Sequence, residues 1–242
     1  MLLVFAGLLR AQTPLENSGK PMRVVYECTA ADTQAAGLGC SEEDPCPVYL
    51  ELSNVEAVGA KLFVTGNLHT PMATLDSILL ASDDEGKTWT EPHARLRSSG
   101  VDQIQFIDAQ YGWISGANLQ GAPRDPFFLI TTDGGKTWRE RSIFEETRVA
   151  AIEHFSFASP TDGELVIDAR LDNGKRENYA THDGGATWSA VQPFDHTEKL
   201  KPVGGWRIRV DAATHSYLIE KSENNRWQKV SGFLVNIASC KE

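Results

Sequence analysis

Ser82-Asp83-Asp84-Glu85-Gly86-Lys87-Thr88-Trp89, Thr131-Thr132-Asp133-Gly134-Gly135-Lys136-Thr137-Trp138 and Thr181-His182-Asp183-Gly184-Gly185-Ala186-Thr187-Trp188 are three copies of one pattern, Ser/Thr-x-Asp-x-Gly-x-Thr-Trp. Their tryptophans stand 49 and 50 residues apart. A decayed fourth copy, Ser222-Glu223-Asn224-Asn225-Arg226-Trp227, follows after 39 residues. Repetition at such a period marks an architecture in which one supersecondary unit recurs.

The pattern has a physical reading. An apolar stretch precedes each copy: Ile78–Ala81, Phe127–Ile130 and, more weakly, Tyr179-Ala180. The Asp-x-Gly segment supplies hairpin chemistry, because Gly tolerates positive φ. The Asp carboxylate and the Ser/Thr hydroxyl are placed to accept loop N–H groups as an Asx-type cap. Trp then opens the outgoing strand and lies across the hairpin. Burying an indole removes about 150–250 Å² from water, worth about 4–6 kcal/mol as an upper bound. Asp84, Asp133 and Asp183 are therefore assigned to folding and not to catalysis.

Each copy has a strand-like segment upstream: 59–66, 111–116, 162–168 and 204–210. Alternating segments lie before these, such as Ile104-Gln105-Phe106-Ile107 and Ile152-Glu153-His154-Phe155-Ser156-Phe157. No segment carries a convincing helical period. Four short strands, A to D, in about 50 residues, with the Asp-Gly turn joining C to D, define the blade of a β-propeller. The expected fold is all-β, with four-stranded antiparallel blades. Residues 21–242 hold about 4.5 such periods, which favours five blades with a reduced composite one; four blades is the alternative. The segments 22–28 and 232–240 read as strands without local partners. Pairing them would close the ring from both termini.

The repeat resembles the Asp-box, or bacterial neuraminidase repeat, of sialidases, sortilin-type receptors and several glycoside hydrolases. Phe106-Ile107-Asp108-Ala109-Gln110-Tyr111-Gly112-Trp113, followed by the box at 131–138, is most similar to the photosystem II stability/assembly factor-like propellers. The resemblance spans roughly residues 50–230 and implies a propeller. It implies little about activity, since the box recurs on propellers with unrelated functions. Sialidases of this superfamily carry an Arg-Ile-Pro near the start, three arginines for the substrate carboxylate and a Tyr–Glu pair. Here Arg207-Ile208-Arg209 is the nearest match, lacks the proline and lies late in the chain, so sialidase catalysis is not expected.

Composition narrows the function classes. The 242 residues carry 23 Lys and Arg against 33 Asp and Glu, a net charge of -10, which disfavours a nucleic-acid partner. A hydrophobic fraction of 41% is too high for a disordered chain, and no apolar run is long enough to span a bilayer. The run 1–9 followed by Arg10-Ala11-Gln12 resembles the apolar core of a secretory signal, although no basic residue precedes it. Residues 1–20 are accordingly expected as signal and linker, and 21–242 as one propeller domain that is secreted, periplasmic or associated with the cell envelope. Four cysteines fit that compartment as two disulfides, Cys40 with Cys46 and Cys28 with Cys240, the second stapling the chain ends.

No metal motif, phosphate loop or nucleophile elbow is present, and no cofactor is expected. His69, His93, His154, His182, His196 and His215 never fall at paired ligand spacing. Strand parity instead points to a face. The B–C loops (67–75, 117–126, 169–177) and the D–A connections share the end opposite the Asp-boxes, and loops of this kind carry function. They bring His69, Asn118, Gln120, Arg124, Asp125, Arg170, Asp172, Lys175 and Arg176, with Arg95, Arg97, Arg141 and Arg148 from the D–A side. The expectation is a non-enzymatic scaffold that binds another protein or assembles with an envelope complex. The alternative is a carbohydrate-binding or hydrolytic propeller, which the absence of aromatic residues from these loops disfavours.

Overall fold

In the computed structural model, residues 13–192 and 205–241 are described. The signal-like run 1–9 and His196 lie outside them. The elements in chain order are β1 (Leu15–Glu16), α1 (Ala30–Ala35), β2 (Cys46–Val58), β3 (Lys61–His69), β4 (Thr74–Ser82), β5 (Thr88–Trp89), β6 (Ser99–Phe106), β7 (Gly112–Asn118), β8 (Arg124–Thr131) and β9 (Arg139–Ser142). There follow β10 (Ala151–Phe157), β11 (Gly163–Ala169), α2 (Arg170–Asn173), β12 (Lys175–Thr181), β13 (Ser189–Val191), β14 (Trp206–Asp211), β15 (Ser216–Glu223), β16 (Arg226–Leu234) and β17 (Asn236–Cys240).

The strands form four blade-sized antiparallel sheets, in orders β17-β2-β3-β4, β6-β7-β8-β9, β10-β11-β12-β13 and β14-β15-β16. The short β5 continues the first sheet through reciprocal Ala81–Thr90 hydrogen bonds of 2.8 Å, and β1 pairs with β5. The expected β-propeller of Asp-box blades is thus present.

The termini depart from expectation in detail. Segment 22–28 is not a strand: it makes one parallel bridge, Met22 to Phe233. Segment 232–240 is not one strand either. Its first part stays in β16, and the chain then crosses to the first sheet as β17, which pairs with β2. Residues 15–17, expected as linker, are seated on the fold. Leu15 faces Trp89 across the β1–β5 pair, and the Asn17 amide donates to Gly86 O at 2.9 Å and Val230 O at 2.7 Å. Alternating patterns in the sequence mark segments that can pair, but the choice among edges is made by tertiary packing. Cys28–Cys240 and Cys40–Cys46 are both bonded, across 212 and 6 residues.

The three complete Asp-boxes share one hydrogen-bond scheme. In the second, Thr131 Oγ1 donates to Asp133 Oδ1 (2.9 Å) and accepts the Gly135 N–H (2.9 Å). Asp133 in turn accepts the Thr137 amide (3.0 Å) and hydroxyl (2.6 Å). The Ser82/Asp84/Thr88 and Thr181/Asp183/Thr187 sets repeat it.

Each box also joins its blade to the preceding one. Trp138 lies 6.1 Å edge-on from Phe63 of the first blade, and Trp188 stacks 5.6 Å from Phe128 of the second. Trp89 meets Phe233 at 5.3 Å. The fifth position of the box must be Gly because it combines positive φ with contact at this seam. A Cβ on Gly135 (φ 79°) would lie 2.4 Å from the Phe63 ring. The fourth copy lacks Asp and Gly, and its Trp227 is 42% exposed with Arg207 stacked over it at 4.1 Å.

Candidate functional site

Hydrogen bonds join segments at one end of the molecule. The Ser98 N–H donates to Leu75 O, Leu119 to Ser98 O and Asp125 to Arg148 O, so D–A and B–C segments meet there. At this end a cleft of about 700 Å³ opens between α1, the β3–β4 turn at 70–73 and the β7–β8 turn at 119–121. Glu51, His69, Ser98 and Gln120 contribute to its lining. The Thr70 hydroxyl accepts the amides of Met72 and Ala73 (3.2 and 3.1 Å), which fixes the turn. That turn leaves Met72 83% exposed at the lip. A smaller cavity of about 160 Å³ adjoins at Leu119, between β6, β7 and the start of β10.

Only His69 and Gln120 of the residues picked from sequence line the larger cleft. Asn118 shapes its edge, its Oδ1 accepting the Gln120 N–H at 3.0 Å. The basic residues are mostly occupied by acids. Arg95 makes a two-pronged contact to Glu91 (2.8 and 2.7 Å) and donates to Val25 O, while Arg97 pairs with Asp32 at 2.8 Å. Both therefore hold the segment that carries α1 against the first blade. Arg170 pairs with Asp168 at 2.6 Å and Arg176 with Glu153 at 2.5 Å. Asp125 caps the Arg148 N–H at 2.9 Å, and Arg148 binds Glu177 (3.0 Å) and Asp172 (3.3 Å). Lys175 is exposed. Arg141, expected in a D–A loop, lies in β9 opposite Phe128, and Arg124 has its Nε buried without an acceptor. The Arg95–Glu91 and Arg170–Asp168 pairs are local in sequence, whereas the pairings of Arg97, Arg148 and Arg176 link residues from separate elements and could not be foreseen from the sequence.

One cluster bears on the hydrolase alternative. Tyr179 Oη donates to Glu177 Oε2 at 2.7 Å, a Tyr–Glu pair, with Arg148 on both Glu177 oxygens and over the Phe144 ring at 4.6 Å. Hydrogen bonding from Arg148 pulls Glu177 down to about 2. Burial, followed by the bond to Glu177, pushes the Tyr179 phenol up. Arg148 and Tyr179 thus converge on Glu177 and tie the segment at 148 to β12. Arg207 and Arg209 likewise both engage Glu220, at 2.7 and 3.1 Å. Among the described residues, no group of three His, Cys, Asp or Glu is placed to hold a metal, and no helix is long and apolar enough to cross a membrane.

Repeated Asp-box hairpins at blade seams, with a cleft at the opposite end, define this molecule as an Asp-box β-propeller. The BNR repeat-like domain model matches residues 31–201, and the chain belongs to that family. No curated protein matches it. Among solved structures it is similar to YCF48 bound to a D1 peptide (18% identity, 79% of this chain and 56% of that one, TM-score 0.39). It is also similar to YCF48 from Cyanidioschyzon merolae (16%, 76% and 57%, 0.43). A third is the Penicillium chrysogenum alpha-L-arabinanase complexed with arabinobiose (13%, 90% and 66%, 0.41). The chain spans little more than half the length of the YCF48 chains.

Proposed function

We propose that this chain is an exported, non-enzymatic propeller scaffold that binds an extended segment of a protein partner, or an assembling envelope complex, in the cleft at its B–C end. The observation that carries the reading is the cleft itself. Its volume, about 700 Å³, falls in the range of binding sites, and an exposed methionine on a fixed turn stands at its lip. Main-chain groups and short polar side chains, including Gln34, Ser98 and Gln120, supply hydrogen bonding suited to a peptide backbone. Neither Trp, Tyr nor Phe is among the lining residues, which argues against a sugar platform. Two disulfides are consistent with an oxidising compartment outside the cytoplasm.

Peptide-library panning alongside a glycan array, on wild type and on Met72→Glu and Gln120→Ala, tests this. Selected peptides should bind wild type and lose at least tenfold in affinity in Met72→Glu, with the melting midpoint unchanged. Retention of a glycan with no peptide selected, or peptide binding untouched by both substitutions, overturns the assignment.

A further inference from the structure

Cys46 and Cys240 face each other directly in the β2–β17 ladder, although each is bonded elsewhere. Opposed residues of an antiparallel pair stand about 4.5–5.5 Å apart at Cα, with side chains on the same face. That spacing lies within the range a disulfide bridges. Cys28 and Cys40 bracket the segment that carries α1, and their bonds pin both ends of it to this one cross-strand position. The segment also forms one wall of the cleft, through Gln34, Ala36 and Gly37.

We infer that the four cysteines form a single thiol–disulfide exchange unit which releases the α1 segment while keeping the chain ends joined. A dithiol reductant opens Cys28–Cys240: the dithiol is oxidised to its disulfide, and Cys28 and Cys240 become thiols. The Cys240 thiolate then attacks the Cys46 sulfur. The Cys46–Cys240 bond forms, the Cys40–Cys46 bond breaks, and Cys40 leaves as a thiolate that takes up the proton lost by Cys240. This second step consumes no electrons. Cys28 is the entry point, being partly exposed, whereas Cys240 is fully buried and Cys40 nearly so. The product ties β17 to β2, and the segment between Cys28 and Cys40 is then held by non-covalent contacts such as Arg97–Asp32. Exchange itself is independent of the cleft's role; its effect on ligand binding rests on the function proposed above.

The test treats the full chain with graded dithiothreitol at pH 8, alkylates the thiols, and cleaves with trypsin and a Glu-specific protease. Cleavage places Cys28 and Cys40 together in peptide 28–42, Cys46 in 44–51 and Cys240 in 230–241. The native pattern joins all three peptides. Exchange gives 44–51 linked to 230–241, with 28–42 alkylated twice. Cys28→Ser/Cys40→Ser provides the same readout without reductant, and its purified form should contain the Cys46–Cys240 bond. Partial reduction that leaves Cys40–Cys46 intact with Cys28 and Cys240 alkylated, or free Cys46 and Cys240 in the folded double variant, overturns the inference. Peptide binding is measured separately on both forms, so loss of the binding hypothesis leaves the mapping result intact.

Discussion

At the scale of single residues, the Asp-box carboxylate replaces backbone pairing that a tight turn cannot supply. Asp133 accepts four hydrogen bonds, from the Thr137 hydroxyl and amide, the Thr131 hydroxyl and the Lys136 amide, and these hold its carboxyl down to about 2. Asp133→Ala should lower stability by about 1–2 kcal/mol and leave binding per folded molecule unchanged. Loss of binding with an unmoved melting midpoint would mean that the box is itself a site. Asp84 and Asp183 are also held at about 2, by their bonds to Thr88 and Thr187. Because their folded pKa lies below the unfolded one, their contribution is present above pH 4 and is lost as pH falls toward 2. The tryptophans are not equivalent. Trp138 Nε1 donates to Gly135 O at 3.1 Å, whereas Trp188 Nε1 is buried with no acceptor. Trp138→Phe should therefore cost about 1–2 kcal/mol more than Trp188→Phe in denaturant titrations; equal losses would contradict this account.

At the scale of elements, the seams between blades are built from side chains that imitate a strand. Gln105 on β6 accepts the Phe157 N–H (2.8 Å) and donates to Phe157 O (3.1 Å), clamping β10 to the second blade. Asn67 treats Val101 in the same manner at the first seam. That seam also buries Glu56, which accepts the Phe106 N–H through Oε1 and leaves Oε2 unpaired. Burial pushes its carboxyl up to about 7. The folded state therefore holds this proton more tightly than the unfolded chain does. Stability from this group is highest below about pH 4.5 and declines by up to about 3 kcal/mol as pH rises to 7. Melting curves at pH 5 and pH 8 should show this fall in wild type and a flatter profile in Glu56→Gln. An identical pH dependence in both proteins would rule out Glu56 as its source.

At the scale of the whole molecule, joining the ends is the costly step, since it brings together residues 212 apart. A bond over that separation restricts the unfolded chain by about 5 kcal/mol in the chain-entropy model, against about 2 kcal/mol for the 6-residue Cys40–Cys46 loop. Cys240→Ser should lower the unfolding midpoint substantially, because nothing else ties β17 covalently. Cys28→Ser should cost less, since Cys240 can then turn to Cys46. Chemical denaturation of the two single variants decides this, and equal losses would argue that Cys46 does not substitute.

The sequence by itself determined the repeating unit, its Asp-box hairpins, the four-stranded blade and the face on which the longer loops gather. These follow from local chemistry: turn residues, strand alternation and a fixed period. The cysteine pairing was also within reach, because two unpartnered terminal segments each held one cysteine. What only the tertiary structure decided is which charges neutralise which, and where the cleft opens. Arg97, Arg148 and Arg176 read as a basic face until Asp32, Glu177 and Glu153 arrive beside them from other elements, while Arg95 closes on Glu91 of its own connection. The split of the C-terminal segment between β16 and β17, and the meeting of Cys46 with Cys240, were likewise invisible. Hydrogen-bonding edges are chemically alike along any strand, so the partner each one takes is set by how the blades pack and not by the strand's own residues.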